Sequence, residues 1–221
     1  MNDQVASIET AKILELAKTC TKLDGDFVEF GCYRGDTSVE LAKILRQSEG
    51  KAFRGQKRPF EDHEDLAARP GASSKKTVTR SPQKIWLYDS FEGLPTKSPE
   101  DESAAGVNFQ PGVLHVSRRA LIDKLKKHGL NNAIIKKAWF SDLTVQDLPE
   151  HIAFAFLDGD FYESQRTALS LVQPRLVPQG IIICHDYNNP ELPGATTAVD
   201  EFLRQHPEYH LNIFQTLAII E

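Results

Sequence analysis

Residues 152–157 read Ile-Ala-Phe-Ala-Phe-Leu, an apolar run with no polar interruption that stops at Asp158-Gly159-Asp160. A short run of this kind predicts a strand buried on both faces, and such strands belong to parallel sheets sandwiched between helices. Its two acids then stand at the carboxyl edge of the sheet, where open α/β folds bind their ligands. A second run, Gly180-Ile181-Ile182-Ile183-Cys184, ends in His185-Asp186-Tyr187. If the two strands are neighbours, Asp158, His185 and Asp186 converge as three candidate metal ligands.

The rest of the chain alternates between the two periodicities. Apolar residues at Ile8, Ala11, Ile13, Leu14, Leu16 and Ala17 predict an amphipathic helix over 8–23. Residues 26–31 read as the first strand, 32–37 as a glycine-punctuated turn and 38–45 as a helix. Further strands are expected at 84–89, 133–137, 152–157 and 180–184. Helices are expected at 118–128, stopped by Gly129, and at 164–172 and 195–205, with a turn at 174–179. Two short runs in 210–221 read as an antiparallel edge hairpin. The prediction is a single α/β domain over 1–221: a three-layer sandwich around a seven-stranded, mainly parallel sheet. Residues 90–112, with Pro95, Pro99, Gly106 and Pro111, read as a mobile active-site loop. Residues 46–83 lack either period and are expected to form a long, largely disordered insertion. Their basic piece, 51–58, is read as solvated linker ahead of a nuclear-localisation signal.

Composition narrows the partners. With 221 residues, 40% of them hydrophobic, and a formal net charge of -5, the chain can build one good core but offers no basic balance for phosphate backbones. A nucleic-acid partner is therefore not expected. Cys20, Cys32 and Cys184 show no CxxC spacing, which argues against a disulfide framework or a zinc ribbon. The first residues lack a signal-peptide pattern and no apolar run reaches the ~20 residues of a membrane span, so a cytoplasmic protein with no membrane partner is expected.

The turn after the first strand, Gly31-Cys32-Tyr33-Arg34-Gly35, lacks the middle glycine of a dinucleotide fingerprint. Tyr33 obstructs the close approach that a diphosphate needs, and acids at Glu29 and Asp89 would repel phosphates. A nucleoside bearing an amino-acid tail suits two such strand-end acids better, and S-adenosylmethionine is such a ligand. Asp89, at the end of the second strand, is placed to accept ribose hydroxyls.

Four blocks in order, Val28 through Gly35, Tyr88-Asp89-Ser90-Phe91-Glu92-Gly93-Leu94-Pro95, Leu157-Asp158-Gly159-Asp160-Phe161-Tyr162-Glu163-Ser164 and Asp186-Tyr187, resemble the macrocin O-methyltransferase family. The resemblance implies a class I methyltransferase, Rossmann-like fold and transfer of a methyl group from S-adenosylmethionine to a hydroxyl of a sugar or related natural product, with a divalent cation. It implies cofactor contacts from Glu29, Gly31, Arg34, Gly35, Thr37, Asp89 and Ser90, with Phe140, Ser141 and Asp142 lining the adenine. It also implies metal ligands at Asp158 and at the acid pair after the fifth strand. There the chain departs from the pattern: the family's Asp-Asp-Tyr is His185-Asp186-Tyr187 here. An imidazole in the donor set moves the preference from Mg²⁺ toward Mn²⁺, Fe²⁺ or Zn²⁺; alternatively His185 leaves the metal and acts as the base. Asp158 or His185 would take the acceptor's proton. Asp158 and Asp160 could also simply cap the following helix. Two rival functions stay open: an inactive methyltransferase-fold binding module and a nucleotide-dependent oxidoreductase. The expected partner is a small-molecule hydroxyl acceptor, and a homodimer is left open.

Overall fold

The computed structural model describes residues 5–55 and 82–221. Its elements run α1 (Ser7–Cys20), β1 (Asp26–Phe30), α2 (Asp36–Gly55), β2 (Ile85–Asp89), α3 (Arg118–Lys127), β3 (Ala133–Lys137), β4 (Ile152–Leu157), α4 (Tyr162–Val172), β5 (Leu176–Cys184), α5 (Pro193–Gln205), β6 (Leu211–Phe214) and β7 (Leu217–Ile220). They form one seven-stranded sheet in the order β3-β2-β1-β4-β5-β7-β6. The pairs from β3 to β5 are parallel, and β7 runs antiparallel to both β5 and β6. The expected sandwich and edge hairpin are both present.

Alternation along β4 explains the layers. Ala153, Phe154 and Phe156 join a core with Ile13 and Ala17 of α1, Leu41 and Leu45 of α2, and Leu121 of α3. Ile152, Ala155 and Leu157 join another core with Ala168 and Leu169 of α4 and Val199 and Phe202 of α5. Every side chain of β4 is buried, so neither face reaches water, and the uninterrupted apolar run follows from that.

Three boundaries differ from the sequence reading. The helix expected to end at 45 continues as α2 to Gly55, and the Arg46 guanidinium donates to the Gly129 carbonyl at 3.0 Å. Gln83, at the other end of the expected insertion, is a buried part of the fold: its Nε2 donates to the carbonyls of Leu23 at 3.2 Å and Gly25 at 2.6 Å. Residues 56–81 of the expected insertion lie outside the described residues. Strand β5 begins at Leu176, inside the expected turn, because its register against β4 shifts between Ile152 and Phe154 and Gln179 absorbs the irregularity at φ 67°. Among the described residues no helix is long and apolar enough to cross a membrane.

The loop expected to be mobile is fastened at Asp101. One carboxylate oxygen of this buried acid accepts the Ser98 N–H and hydroxyl, both at 2.9 Å, and the other accepts the Tyr162 N–H at 2.7 Å. The loop is thereby tied to the first turn of α4.

Gln83→Ala tests whether the end of the segment is structural. It removes a buried donor from two carbonyls and is expected to lower unfolding free energy by about 1–3 kcal/mol. A urea midpoint equal to that of the parent would place Gln83 outside the cooperative core.

Candidate active site

The register of the central strands builds the site. Phe30 of β1 is level with Leu157 of β4, and Leu157 with Cys184 of β5. Pairing continues one residue further, with the Asp158 N–H donating to the Phe30 carbonyl at 2.8 Å and the His185 N–H to the Leu157 carbonyl at 2.9 Å. Gly31, Asp158 and His185 therefore lie side by side at the carboxyl edge. Gly31 has φ +85°, and a Cβ there would stand 2.0 Å from the Asp158 carbonyl oxygen. Only glycine lets β1 turn away so close to β4. Tyr33, Phe91, Asp160 and Asp186 also take positive φ, at 43°, 55°, 57° and 64°. Strained backbone of this kind concentrates at ligand-binding edges.

Glu29 points into the apolar layer shared with α1 and α2 and is 1% exposed. Its Oε2 and the nearby Ser38 hydroxyl are both buried without a hydrogen-bond partner. Burial pushes the Glu29 carboxyl up to about 8; the Ser38 hydroxyl beside it works the other way, and the charges of Asp158 and Asp89 add to the rise. The small cavity beside it is lined by Gly31, Arg34, Gly35, Thr37 and Asp158, and also by Val5. Thr37 is buried in the first turn of α2, and the Arg34 guanidinium lies 5.1 Å from the Tyr33 ring centroid.

A neighbouring crevice shares Gly31, Tyr33 and Asp158 with that cavity and adds Asp89, Ser90, Leu94, Trp139, Phe140 and Asp160. Asp89 is used first by the backbone. Its Oδ2 accepts the N–H groups of Cys32 at 2.8 Å and Tyr33 at 3.2 Å, and its Oδ1 accepts that of Phe91 at 2.6 Å. A carboxylate offers about four lone-pair positions, so it can take a further donor from the crevice. Ser90 Oγ accepts the Glu92 N–H at 3.0 Å and steadies the same turn.

Of the expected adenine wall, Phe140 lines the crevice and stacks edge-on against Phe30 with ring centroids 5.1 Å apart. Ser141 and Asp142 do not line it. They sit exposed on the 3-10 turn after β3, because that tight turn directs Phe140 inward and the next two residues to the surface. Trp139 takes the place beside Phe140.

The acid cluster converges as the two strand ends require. His185 Nδ1 stands 2.9 Å from Asp158 Oδ1 and 3.2 Å from Asp186 Oδ2, and one donor atom from each residue falls within 4.8 Å of the others. Asp186 Oδ1 accepts the Asn189 amide at 2.8 Å. Burial works against a charged His185 ring, but the Asp158 and Asp186 carboxylates outweigh it and hold the imidazole well above its ordinary value. Burial raises Asp158, and burial beside Asp158 and Asp186 raises Asp160 well above the usual carboxylate range.

Two buried polar residues in contact with His185 escaped the sequence reading. Gln165 Nε2 donates to the carbonyls of Leu157 at 3.2 Å and His185 at 3.1 Å, stitching the ends of β4 and β5 together. Glu9 of α1 is 4% exposed and reaches His185 Nε2 at 3.6 Å. Burial opposes its charge, yet the His185 ring and the Thr216 donors hold its carboxyl down at about 2. A signal existed for it: Glu9 lies in register with Ile13, Ala17 and Cys20, the buried stripe of α1.

The family model for macrocin-O-methyltransferase (TylF) matches residues 72–214. A Streptomyces olivaceus protein, 8-demethyl-8-(2,3-dimethoxy-alpha-L-rhamnosyl)-tetracenomycin-C 4'-O-methyltransferase, is 29% identical over 168 residues, covering 74% of this chain and 53% of its own length. Mycinamicin III 3''-O-methyltransferase of Micromonospora griseorubida is 30% identical over 130 residues, covering 55% of this chain and 50% of its own. The chain spans about half the length of these curated relatives. Among solved structures, the O-methyltransferase NovP superposes with a TM-score of 0.67 at 23% identity, over 96% of this chain and 78% of that one. The calicheamicin methyltransferase CalS11 does so with a TM-score of 0.67 at 18% identity, over 98% and 80%.

The buried, unpartnered Glu29 makes stability depend on pH with a definite sign. Its carboxyl titrates near 4.5 unfolded and at about 8 folded, so between these values the native state binds the extra proton and stability falls as pH rises. Glu29→Gln is expected to leave the melting temperature at pH 4.5 nearly unchanged and to raise it by several degrees at pH 8. An equal shift at both values would contradict the assignment.

Proposed function

The chain belongs to the macrocin O-methyltransferase family, and we propose that it transfers a methyl group from S-adenosylmethionine to a hydroxyl of a sugar or small natural-product acceptor, with a divalent cation. Its fold is that of class I methyltransferases. The observation that carries the reading is the unpartnered Glu29 Oε2, buried at a glycine turn immediately beside the Asp158, His185 and Asp186 cluster. A lone buried acceptor of this kind suits a cationic donor on a ligand, and the amino-acid tail of S-adenosylmethionine carries one. Gly31, Arg34, Gly35 and Thr37 would surround that tail, and Asp89 with Phe140 and Trp139 would hold the nucleoside.

Methyl transfer to oxygen requires alignment of the hydroxyl with the methyl group and removal of its proton. The cofactor supplies the activated methyl. One imidazole nitrogen and two carboxylate oxygens form a donor set that suits a borderline divalent ion, which when bound would acidify and orient the acceptor hydroxyl. Asp158 lines both the cavity and the crevice, and its carboxylate is the proton acceptor in this reading. Asp160 lines the same crevice, and its raised carboxyl would meet the acceptor as a donor.

One observation favours a variant of this reading. His185 Nδ1 already lies between the Asp158 and Asp186 oxygens, so a protonated ring offsets their charge without an ion. Turnover with sugar acceptors, assayed with chelator and then with added Mg²⁺, Mn²⁺ or Zn²⁺, separates the two. The cation reading expects loss on chelation, better recovery with Mn²⁺ than with Mg²⁺, and a reversed preference in His185→Asp. Full turnover under chelator would make the cluster metal-free, with the protonated His185 ring in place of the ion and Asp158 as the proton acceptor.

Asp89→Ala is expected to weaken S-adenosylmethionine binding by about 1–3 kcal/mol. Because three backbone N–H groups lose their acceptor as well, the variant should also melt below the parent. Parent-like affinity by calorimetry in a folded variant would remove Asp89 from the cofactor site.

A further inference from the structure

The segment between β5 and α5 folds back on the cluster it has just left. Asp186 and Asn188 both take left-handed backbone, at φ 64° and 60°, which short polar side chains tolerate better than others. The chain reverses so tightly that the Asn189 N–H donates to the Asp186 carbonyl at 3.1 Å. The Asn189 side chain then returns to the Asp186 carboxylate: its Nδ2 donates to Asp186 Oδ1 at 2.8 Å, while its own Oδ1 accepts the Glu191 N–H at 3.0 Å.

A carboxylate turns as one plane, so a fixed Oδ1 also fixes Oδ2. With Oδ1 taken by the amide, Asp186 presents Oδ2 to the cluster, 3.2 Å from His185 Nδ1. The two contacts of Asn189 ask for a donor and an acceptor on one short side chain, which is the inventory of an asparagine. The same turn reaches the loop that lines the crevice. The Ser103 hydroxyl donates to the Pro190 carbonyl at 2.6 Å, and a Cβ on Gly106 would stand 2.1 Å from the Glu191 carbonyl oxygen. The Lys97 ammonium donates to the Gly106 carbonyl at 2.7 Å, and Lys97 follows closely on Leu94 and Pro95 of the crevice wall.

We propose that Asn189 is a positioning residue for the cation-binding set: its amide turns the Asp186 carboxylate so that Oδ2 stays with Asp158 and His185, and its oxygen holds that arrangement on the turn that seats the crevice loop. The proposal rests on the reading of Asp158, His185 and Asp186 as that set. Carboxylates that bind metals are themselves held by hydrogen bonds from residues behind them, and loss of such a partner weakens metal binding roughly ten- to a hundredfold. A role in the turn alone would need only an acceptor for the Glu191 N–H, which a serine hydroxyl also supplies.

The test is Mn²⁺ calorimetry on the cofactor-free protein, with the melting temperature measured beside it, for the parent, Asn189→Ser, Asn189→Ala and Ser103→Ala. Asn189→Ser keeps an acceptor for the turn but loses the amide, so it should melt close to the parent and bind Mn²⁺ at least about tenfold more weakly. Asn189→Ala should lose the same affinity and melt lower. Ser103→Ala frees the loop from Pro190 but leaves the amide in place, and should bind Mn²⁺ as the parent does. Parent-like affinity in a folded Asn189→Ser reduces Asn189 to a turn residue and overturns the proposal. A loss in Ser103→Ala as large as that in Asn189→Ser also overturns it, because the effect would then come from a loosened segment. A parent protein that binds no Mn²⁺ overturns the cation reading, and the proposal with it.

Discussion

The burial of β4 between β1 and β5 is the constraint on which the other features depend. Its side chains are at most 1% exposed, and complete burial of each large apolar side chain contributes about 1.5–3 kcal/mol. Because successive side chains from Phe154 to Leu157 enter opposite cores, a slip of one residue would exchange the contents of both layers there. The register is therefore fixed well enough to serve as a ruler. Gly31, Asp158 and His185 meet because Phe30, Leu157 and Cys184 are held level.

That same burial makes the site electrostatically costly. Glu29, Asp160, Asp186 and His185 are buried and Asp158 beside them is half-buried, and buried charges need partners or must be neutralised. The cluster around His185 solves this locally, since the imidazole stands among carboxylates from α1 and from the ends of β4 and β5. Glu29 has no such partner. Its carboxyl is pushed up and its Oε2 makes no hydrogen bond, so one buried oxygen is left without a partner beside the Gly31 turn.

What the sequence made legible follows the range of the interactions. Two apolar runs ending in acids revealed the sheet and the convergence of Asp158, His185 and Asp186, because strand order and burial are written in each run itself. The start of β5 is obscured because 174–179, with Pro174 and Pro178, reads as a turn, whereas the strand begins at Leu176 and runs through Pro178 with a register shift. The same limit hid the end of α2, where residues with helical propensity follow Leu45 without an apolar period. Ser141 and Asp142 were taken from a resemblance, and the geometry of the short turn that actually decides their direction has no sequence signature of its own. Glu9 was missed for the opposite reason: its Thr216 partner is 207 positions away, and only its place on the buried stripe of α1 hinted at it.

The path from Glu9 to the cluster links α1 to the edge hairpin. β7 pairs with β5 and brings the β6–β7 turn beside Tyr187, so that Thr216 becomes both the neighbour of the cluster and the socket for α1. Val5, just before α1, then closes the cavity next to Glu29. The antiparallel hairpin at the sheet edge is thus more than a cover for an exposed strand. Without it, α1 would lose its hold on Thr216, the Glu29 cavity would lose its wall at Val5, and His185 would lose the carboxylate facing Nε2. A change in the edge hairpin would reach the acid cluster through a buried glutamate rather than through the sheet itself.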